Sequence, residues 1–386
     1  MIKKIYLSAA LLACIALVFG QNSLTRNIGN SIGFGKLINN AVSSGDNSTF
    51  TLPTPSGATI AGKINLKRSY GGTTEIIGTG NEPSSTFSLS VNTNGEIDGL
   101  YTSVKDKKAY KYYTDDVSNN LMVKEVNIES VLCIDYKQAP DNSAQKKEAL
   151  PTVVNAIPLF ESKPGSQYVI YIDLDGEVST SSWNGGTTID AAARPWTNAD
   201  IQTIWEIVAQ DYLTFDVNVT TDRVVFDAAD KFKKKMCIVT STTTASPGSG
   251  GVAYIGSFSD GKGNPCWAFN NGAKTAGETV SHEIGHTVGL HHDGKSTTTY
   301  YSGHADWAPI MGSSYTRAVG HWSLGEYTDA NNQEDDINII GTKNGFAPKP
   351  DDIGNTITNA KVLNIESNGS VLDILNKGII NNKTDL

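Results

Sequence analysis

A chain of 386 residues is longer than one typical domain and can bury at least one substantial core, so two or three structural parts are expected. Its formal charge of −9 is spread without long single-sign blocks. That argues against a nucleic-acid-binding face and a polybasic membrane patch, and leaves polypeptides or small ligands as partners.

Residues 1–20 begin with Lys3 and Lys4, run through apolar residues from Ile5 to Phe19, and end at Gly20 before the polar Gln21 and Asn22. This is the pattern of a secretory signal peptide cleaved after about Gly20. The run is shorter than the ~20 apolar residues of a spanning helix. Because it also continues past Cys14, it does not suit lipid attachment there. No later segment is apolar enough to cross a bilayer, so a secreted, extracellular protein without membrane contact is expected. Once Cys14 is removed, an odd three thiols remain: Cys133, Cys237 and Cys266. In an oxidising compartment two of them would normally pair.

Residues 21–150 are rich in Ser, Thr, Asn and Gly and alternate apolar with polar positions, as in Thr86-Phe87-Ser88-Leu89-Ser90-Val91 and Leu121-Met122-Val123-Lys124-Glu125-Val126. Period two with turn signals such as Asn94-Gly95 predicts a small β-rich unit. The polar stretch Ala139 to Glu148 reads as an exposed linker open to proteolysis.

Over residues 151–345 the texture becomes α/β. Tyr168 to Leu174 is a buried-strand pattern ending at Asp175-Gly176. Thr197-Asn198-Ala199-Asp200 opens a helix with a capping-box pattern, and its apolar stripe is Ile201, Ile204, Trp205 and Val208. Phe215 to Val219, Met236 to Thr240 and Gly250 to Gly256 supply further strands, and Thr275-Ala276-Gly277-Glu278 is read as the cap of a second helix. Strands joined through helices imply a mixed, twisted sheet. Residues 346–386 form a loop-like C-terminal extension whose Asp351 to Thr356 looks like the opening of a β-sandwich module, with too little chain left to complete one.

The second helix carries His282-Glu283-Ile284-Gly285-His286. Helix positions i and i+4 share a face, so two imidazoles converge on one metal with Glu283 beside them. Zinc takes nitrogen ligands and, when catalytic, keeps a position open for water, so a third protein ligand is needed. Gly289 and His292 follow at steps of three. The glycine lets the chain leave the helix sharply and bring His292 to the metal. With Gly at about 7% of residues and 6 His in the chain, both fall at these positions by chance about once in a thousand.

His282 to Asp293 resembles the metzincin signature, and an Asp after the third His is the variant of the adamalysin-like, or reprolysin-like, enzymes. The family has a methionine turn beneath the zinc, and Ala308-Pro309-Ile310-Met311-Gly312 is similar to it, with Met311 in that role. The resemblance covers roughly residues 160–345. It implies a two-lobed metzincin catalytic domain with the substrate cleft across one catalytic Zn2+. It also implies polypeptide substrates and a hydrolysis in which zinc lowers the pKa of water while Glu283 acts as general base. His292 rather than His291 is expected to be the third ligand. Asp293 is expected to brace the site by hydrogen bonds from its carboxylate. His304 and His321 read as structural or surface histidines. Tyr315 does not have the spacing of a catalytic tyrosine and reads as a wall of the specificity pocket. Gly251, Val252, Ala253 and Tyr254 resemble the edge strand that metzincins offer to an extended substrate, where free backbone groups bind a peptide by strand addition.

The β-rich unit then reads as a propeptide that inhibits the enzyme. Cys133 is a candidate cysteine switch, because a thiolate can take the open position on zinc, although the familiar switch sequence is absent. That assignment leaves Cys237 and Cys266 to form one disulfide, with a buried free thiol or a different pairing as alternatives. Asp173, Asp175 and Asp260 could offer oxygen to Ca2+, but no calcium-loop pattern joins them. A monomer is expected. Activity should fall below about pH 6, since ligand histidines must be neutral to bind metal. The rival reading is a secreted binding or adhesion protein with a vestigial or structural zinc site, and the presence of Glu283 speaks against it.

Overall fold

The structure is a computed structural model and describes residues 24–43, 48–70, 72–81, 85–103, 106–128, 131, 133–136, 157–349, 356 and 358–371. The expected signal peptide, the expected linker and Asp351 to Asn355 lie outside the described residues.

The N-terminal unit is one antiparallel sheet with a helix against it. Its elements are β1 (Thr25–Asn30), α1 (Ser31–Ser43), β2 (Thr49–Pro53), β3 (Thr59–Tyr70), β4 (Thr73–Thr79), β5 (Ser85–Val91), β6 (Ile97–Ser103), β7 (Lys108–Thr114) and β8 (Asn120–Asn127). From β2 to β8 the chain is a meander, and β1 returns alongside β8. The alternation read from the sequence gives this sheet its buried face: Phe87, Leu89, Val91, Leu121 and Val123 share one core with Phe50, Leu52, Ile64 and Tyr112. At Asn94-Gly95 the chain reverses between β5 and β6, with Gly95 at φ +81° and the Asn92 side chain accepting from the N–H groups of Asn94 and Glu96. The helix α1 is absent from the sequence expectation. It is held by the sheet: Ile38 is fully buried in the same core, and Phe34 packs edge-on to Phe50 with ring centroids 5.6 Å apart.

The next strand in the chain, β9 (Cys133–Tyr136), leaves this sheet and pairs with another. The second unit continues with β10 (Val169–Asp173), β11 (Glu177–Ser179), β12 (Ile189–Ala191), α2 (Asn198–Asp211), β13 (Asn218–Thr220), α3 (Arg223–Ala228), β14 (Lys234–Val239), β15 (Gly251–Tyr254), β16 (Cys266–Ala268), α4 (Ala273–Thr287), β17 (Trp307–Pro309), β18 (Val319–His321) and α5 (Asp336–Lys343). Its main sheet runs β13-β10-β14-β16-β15-β9; β15 is antiparallel to β16 and every other pairing is parallel. This is the mixed sheet expected, with α2 and α4 packed on it and on each other.

The cap of α2 is as read: the Thr197 hydroxyl accepts from the Asp200 N–H at 3.1 Å, and the Asp200 carboxylate accepts from the Thr197 N–H at 3.0 Å. For α4 the expectation is corrected. The helix begins two residues before Thr275, after Gly272, whose φ of +81° makes the break, and the Thr275 hydroxyl turns back onto the carbonyls of Asn271 and Gly272. At the other end, Phe346 is fully buried against Tyr168, Phe215 and Phe258, and the Lys349 N–H donates to the Thr214 carbonyl at 2.6 Å. The second unit therefore extends through the first residues of the segment read as an extension.

Candidate metal centre

His282 and His286 stand one turn apart on α4, which is buried along nearly its whole length. Two glycines let that helix sit where it does. At Gly285 an added Cβ would lie 2.5 Å from the Met311 sulfur, so Met311 packs directly beneath the histidine-bearing turn. Gly289 takes φ +107°, and its N–H reaches the His286 carbonyl while Leu290 N–H reaches Gly285. This sharp exit returns His292 to the helix.

The ring centroids of the three histidines lie 4.9 Å (His282–His286), 4.7 Å (His286–His292) and 5.3 Å (His282–His292) apart. His282 Nδ1 is 2.7 Å from the Ile310 carbonyl and His286 Nδ1 is 2.9 Å from the Leu290 carbonyl. A carbonyl only accepts, so each Nδ1 carries the proton and each Nε2 is the unprotonated nitrogen that can bind a metal. The Nε2 atoms of His286 and His292 are 3.0 Å apart, and one nitrogen from each of the three rings falls within 4.8 Å of the others. Zinc bonds of 2.0–2.1 Å at tetrahedral angles separate nitrogens by about 3.4 Å, so the donor set fits one zinc with three imidazoles and a fourth position left open. Among the described residues this is the group of side chains placed to share a metal. Burial pushes the His282 imidazole down to about 3, and the neighbouring His286 adds to the shift; His292 is also held well below its ordinary value, by burial and then by the other histidines. His291 is exposed and paired with Glu334 at 2.9 Å, turned away from the triad.

Glu283, fully buried, rises between the two helix histidines towards β15. At Gly251 an added Cβ would lie 2.8 Å from the Glu283 carboxyl carbon and 2.7 Å from the Thr279 methyl. Only a glycine leaves the carboxylate its place, a reason that the reading of this strand as a substrate edge does not contain. The outer edge of Gly251–Tyr254 is itself taken: β9 pairs with it in parallel register, Cys133 opposite Gly251 and Tyr136 opposite Tyr254. The expected open edge is thus corrected to an edge occupied by the chain's own segment. Of Cys133 the structure describes the strand and its register.

Met311 anchors the floor. Its carbonyl accepts from the Asp293 N–H at 2.9 Å, and the Asp293 carbonyl accepts from the Tyr301 N–H at 2.7 Å. The bracing expected from the Asp293 carboxylate therefore comes from its main chain; among the described residues its oxygens find no partner at normal hydrogen-bond geometry. Left buried there, the Asp293 carboxyl is raised to about 7 by burial and then by the Glu326 and Glu334 carboxylates, against a lowering by Asn332.

Beyond the turn, the fully buried Tyr315 packs with Leu100, Ala109, Ile128 and Val131 of the N-terminal part of the chain. The loop that carries it is tied to α4 by Lys274, whose Nζ donates to Glu278 at 2.9 Å and to the Tyr315 carbonyl at 3.1 Å, while Ser314 donates to the other Glu278 oxygen. Arg317 binds the carbonyls of Ser302, Gly303 and Ala305, joining the segments on either side of Met311. His304 pairs with the Tyr301 hydroxyl at 2.8 Å and His321 is exposed on β18, so neither joins the triad.

The expected Cys237–Cys266 disulfide is corrected: both are buried free thiols, directly opposite each other on the parallel strands β14 and β16. Side chains facing each other across parallel strands point the same way rather than at one another, which does not favour the near-perpendicular S–S torsion. Asp173 is buried at the end of β10, where its carboxylate accepts from the Gly176 N–H at 3.2 Å, and Asp260 accepts from the Lys262 N–H in a separate turn.

Residues missed by sequence reasoning are Gly285, Lys274, Glu278 and Tyr300. A glycine inside a buried helix is itself a signal of close approach; Lys274 and Glu278 pair at i, i+4 on α4, but their links to Tyr315 and Ser314, like the contacts of Tyr300, are non-local and leave no local mark. No curated protein matches the chain. Residues 198–293 match the family described as metallo-peptidase family M12B, reprolysin-like, and with three imidazoles that fit a metzincin zinc site the chain is similar to the zinc-dependent peptidases of that family.

Proposed function

We propose that the chain is a zinc endopeptidase, secreted by way of residues 1–20 and made as a latent precursor in which the N-terminal unit is the propeptide. The observation that carries the reading is the Glu283 carboxylate, buried between two metal-facing imidazoles and given its space by Gly251. A structural zinc has no use for such a base.

His282, His286 and His292 would hold zinc, which when bound polarises the scissile carbonyl and lowers the pKa of water at the open position. Glu283 accepts the proton of the attacking water and delivers it to the leaving amine nitrogen. The apolar shell of α4, β15 and Met311 keeps bulk solvent from this proton path. Substrates are polypeptides laid along β15. Latency is supported by the β9 pairing, since a substrate strand must use the same edge of β15. The register that sets Cys133 opposite Gly251, on the β15 edge beside Glu283, supports Cys133 as the candidate switch residue.

The test is cleavage of casein or a broad peptide library by the processed protein. Expected is activity that a chelator removes, that zinc restores, and that Glu283→Gln lowers by about 10²–10⁴-fold. Stable zinc binding with no turnover on any peptide would overturn the reading.

A further inference from the structure

Tyr300 lies in the loop between His292 and Met311 and takes no part in the chemistry above. Its neighbour Tyr301 fixes it. The Tyr301 N–H donates to the Asp293 carbonyl at 2.7 Å, its carbonyl accepts from the Ser313 N–H at 2.9 Å, and its ring stacks on Tyr327 at 4.2 Å. Tyr327 in turn donates its hydroxyl to the Gly294 carbonyl at 2.8 Å. With the adjacent residue held on all these sides, the Tyr300 ring comes 4.3 Å from the His292 ring at a tilt of 44°, and 6.3 Å from the His282 ring. The same tyrosine packs against the apolar cluster of Leu100, Ala109, Ile128, Val131 and Tyr315.

His282 and His286 ride on a buried helix and hold main-chain carbonyls through Nδ1. His292 stands on the exit turn beyond Gly289, and the ring packed closest to it outside the triad is that of Tyr300. An aromatic ring at this distance limits the rotation of its neighbour, and groups that orient a metal ligand usually govern metal affinity by about 10–100-fold.

We propose that Tyr300 is a positioning residue for the third metal ligand: its ring, wedged between the imidazole of His292 and the apolar cluster of the N-terminal unit, keeps His292 in the orientation that binds zinc. The proposal rests on the zinc-site reading. It concerns the ring, not the hydroxyl.

The experiment loads the full chain with zinc and follows transfer to a chromophoric chelator, together with the absorption spectrum of the Co2+-substituted protein. Tyr300→Leu, which preserves apolar packing, and Tyr300→Ala are both expected to release zinc about tenfold faster or more and to alter the Co2+ bands, with Tyr300→Phe indistinguishable from the parent. Should Tyr300→Ala fail to fold, Tyr300→Leu decides. Parent-like release from Tyr300→Leu overturns the proposal, and so does a Tyr300→Phe variant as leaky as Tyr300→Leu. A parent chain that takes up no zinc overturns the metal reading itself, a result separate from either of these.

Discussion

Gly251 and Glu283 are in contact across the interface between β15 and α4: a β-carbon on Gly251 would stand 2.8 Å from the Glu283 carboxyl carbon. The strand β15 thus also sets the position of the carboxylate proposed as general base. Gly251→Ala is expected to push the carboxylate aside and lower kcat about 100-fold, the scale set by misplacements of about 1 Å. Zinc content should be unchanged, since the nearest atoms to the new Cβ belong to Glu283 and Thr279 rather than to the histidines. Turnover and bound metal measured on the same processed sample check this, and a kcat within twofold of the parent would refute it.

Gly285→Ala should lower stability despite adding a better helix former. Alanine gains about 1 kcal/mol of helix propensity over glycine. Against it stand the Met311 sulfur at 2.5 Å and the Trp322 ring at 3.3 Å from the new Cβ, both in a packed core. Overpacking of this kind costs about 1–3 kcal/mol. A lower denaturation midpoint in urea is expected, and a raised midpoint would show that Met311 moves freely.

Metal retention should survive mild acid better than the sequence alone suggests. His282 is held down to about 3 and His292 is also held below its ordinary value, so protons compete for both ligands at lower pH than for a free imidazole. The linkage acts on stability: with folded pKa values depressed, the unfolded chain binds more protons, so the contribution of these histidines is complete above about pH 6.5 and falls as pH drops towards 3. Metal analysis after gel filtration at pH 5, alongside melting of the metal-free chain from pH 7 to 5, should show zinc retained and a falling Tm. Stoichiometric loss of zinc at pH 5 without unfolding would contradict the assignment.

Asp173 runs the other way. Burial, then Glu177 and Asp175, raise its carboxyl to about 8, against Arg223 and the Gly176 N–H. An acid with a raised folded pKa favours the fold while protonated, and that advantage is lost as pH climbs from about 4 to 8. Asp173→Asn should therefore raise Tm above pH 8 and change it little at pH 5. Equal effects at both values would show that packing, not charge, governs the position.

The metal centre was legible because its geometry is local. Two histidines four apart need only helical pitch, and His292 needs only the left-handed exit that Gly289 makes at φ +107°. What escaped was non-local. Helix α1 contains Gly33, Gly35, Asn39 and Asn40, poor helix formers, and is held by Ile38 and Phe34 against a sheet that forms later in the chain. The partner of β15 could not be read from spacing, since β9 lies more than a hundred residues away and parallel pairing leaves no hairpin signal. Phe346 looked like the start of a tail because its core partners, Tyr168 and Phe215, lie far upstream.

On the proposed propeptide reading, the parallel ladder between Cys133–Tyr136 and Gly251–Tyr254 would separate scission from release. A cut between the end of β9 and the start of β10 would break the covalent tether but none of the ladder's hydrogen bonds, so the detached piece would remain a bound competitor. Tethered, it rebinds at the high local concentration of a linked segment; once cut, it is lost by dilution. Onset of activity after nicking should consequently depend on how far the sample is diluted.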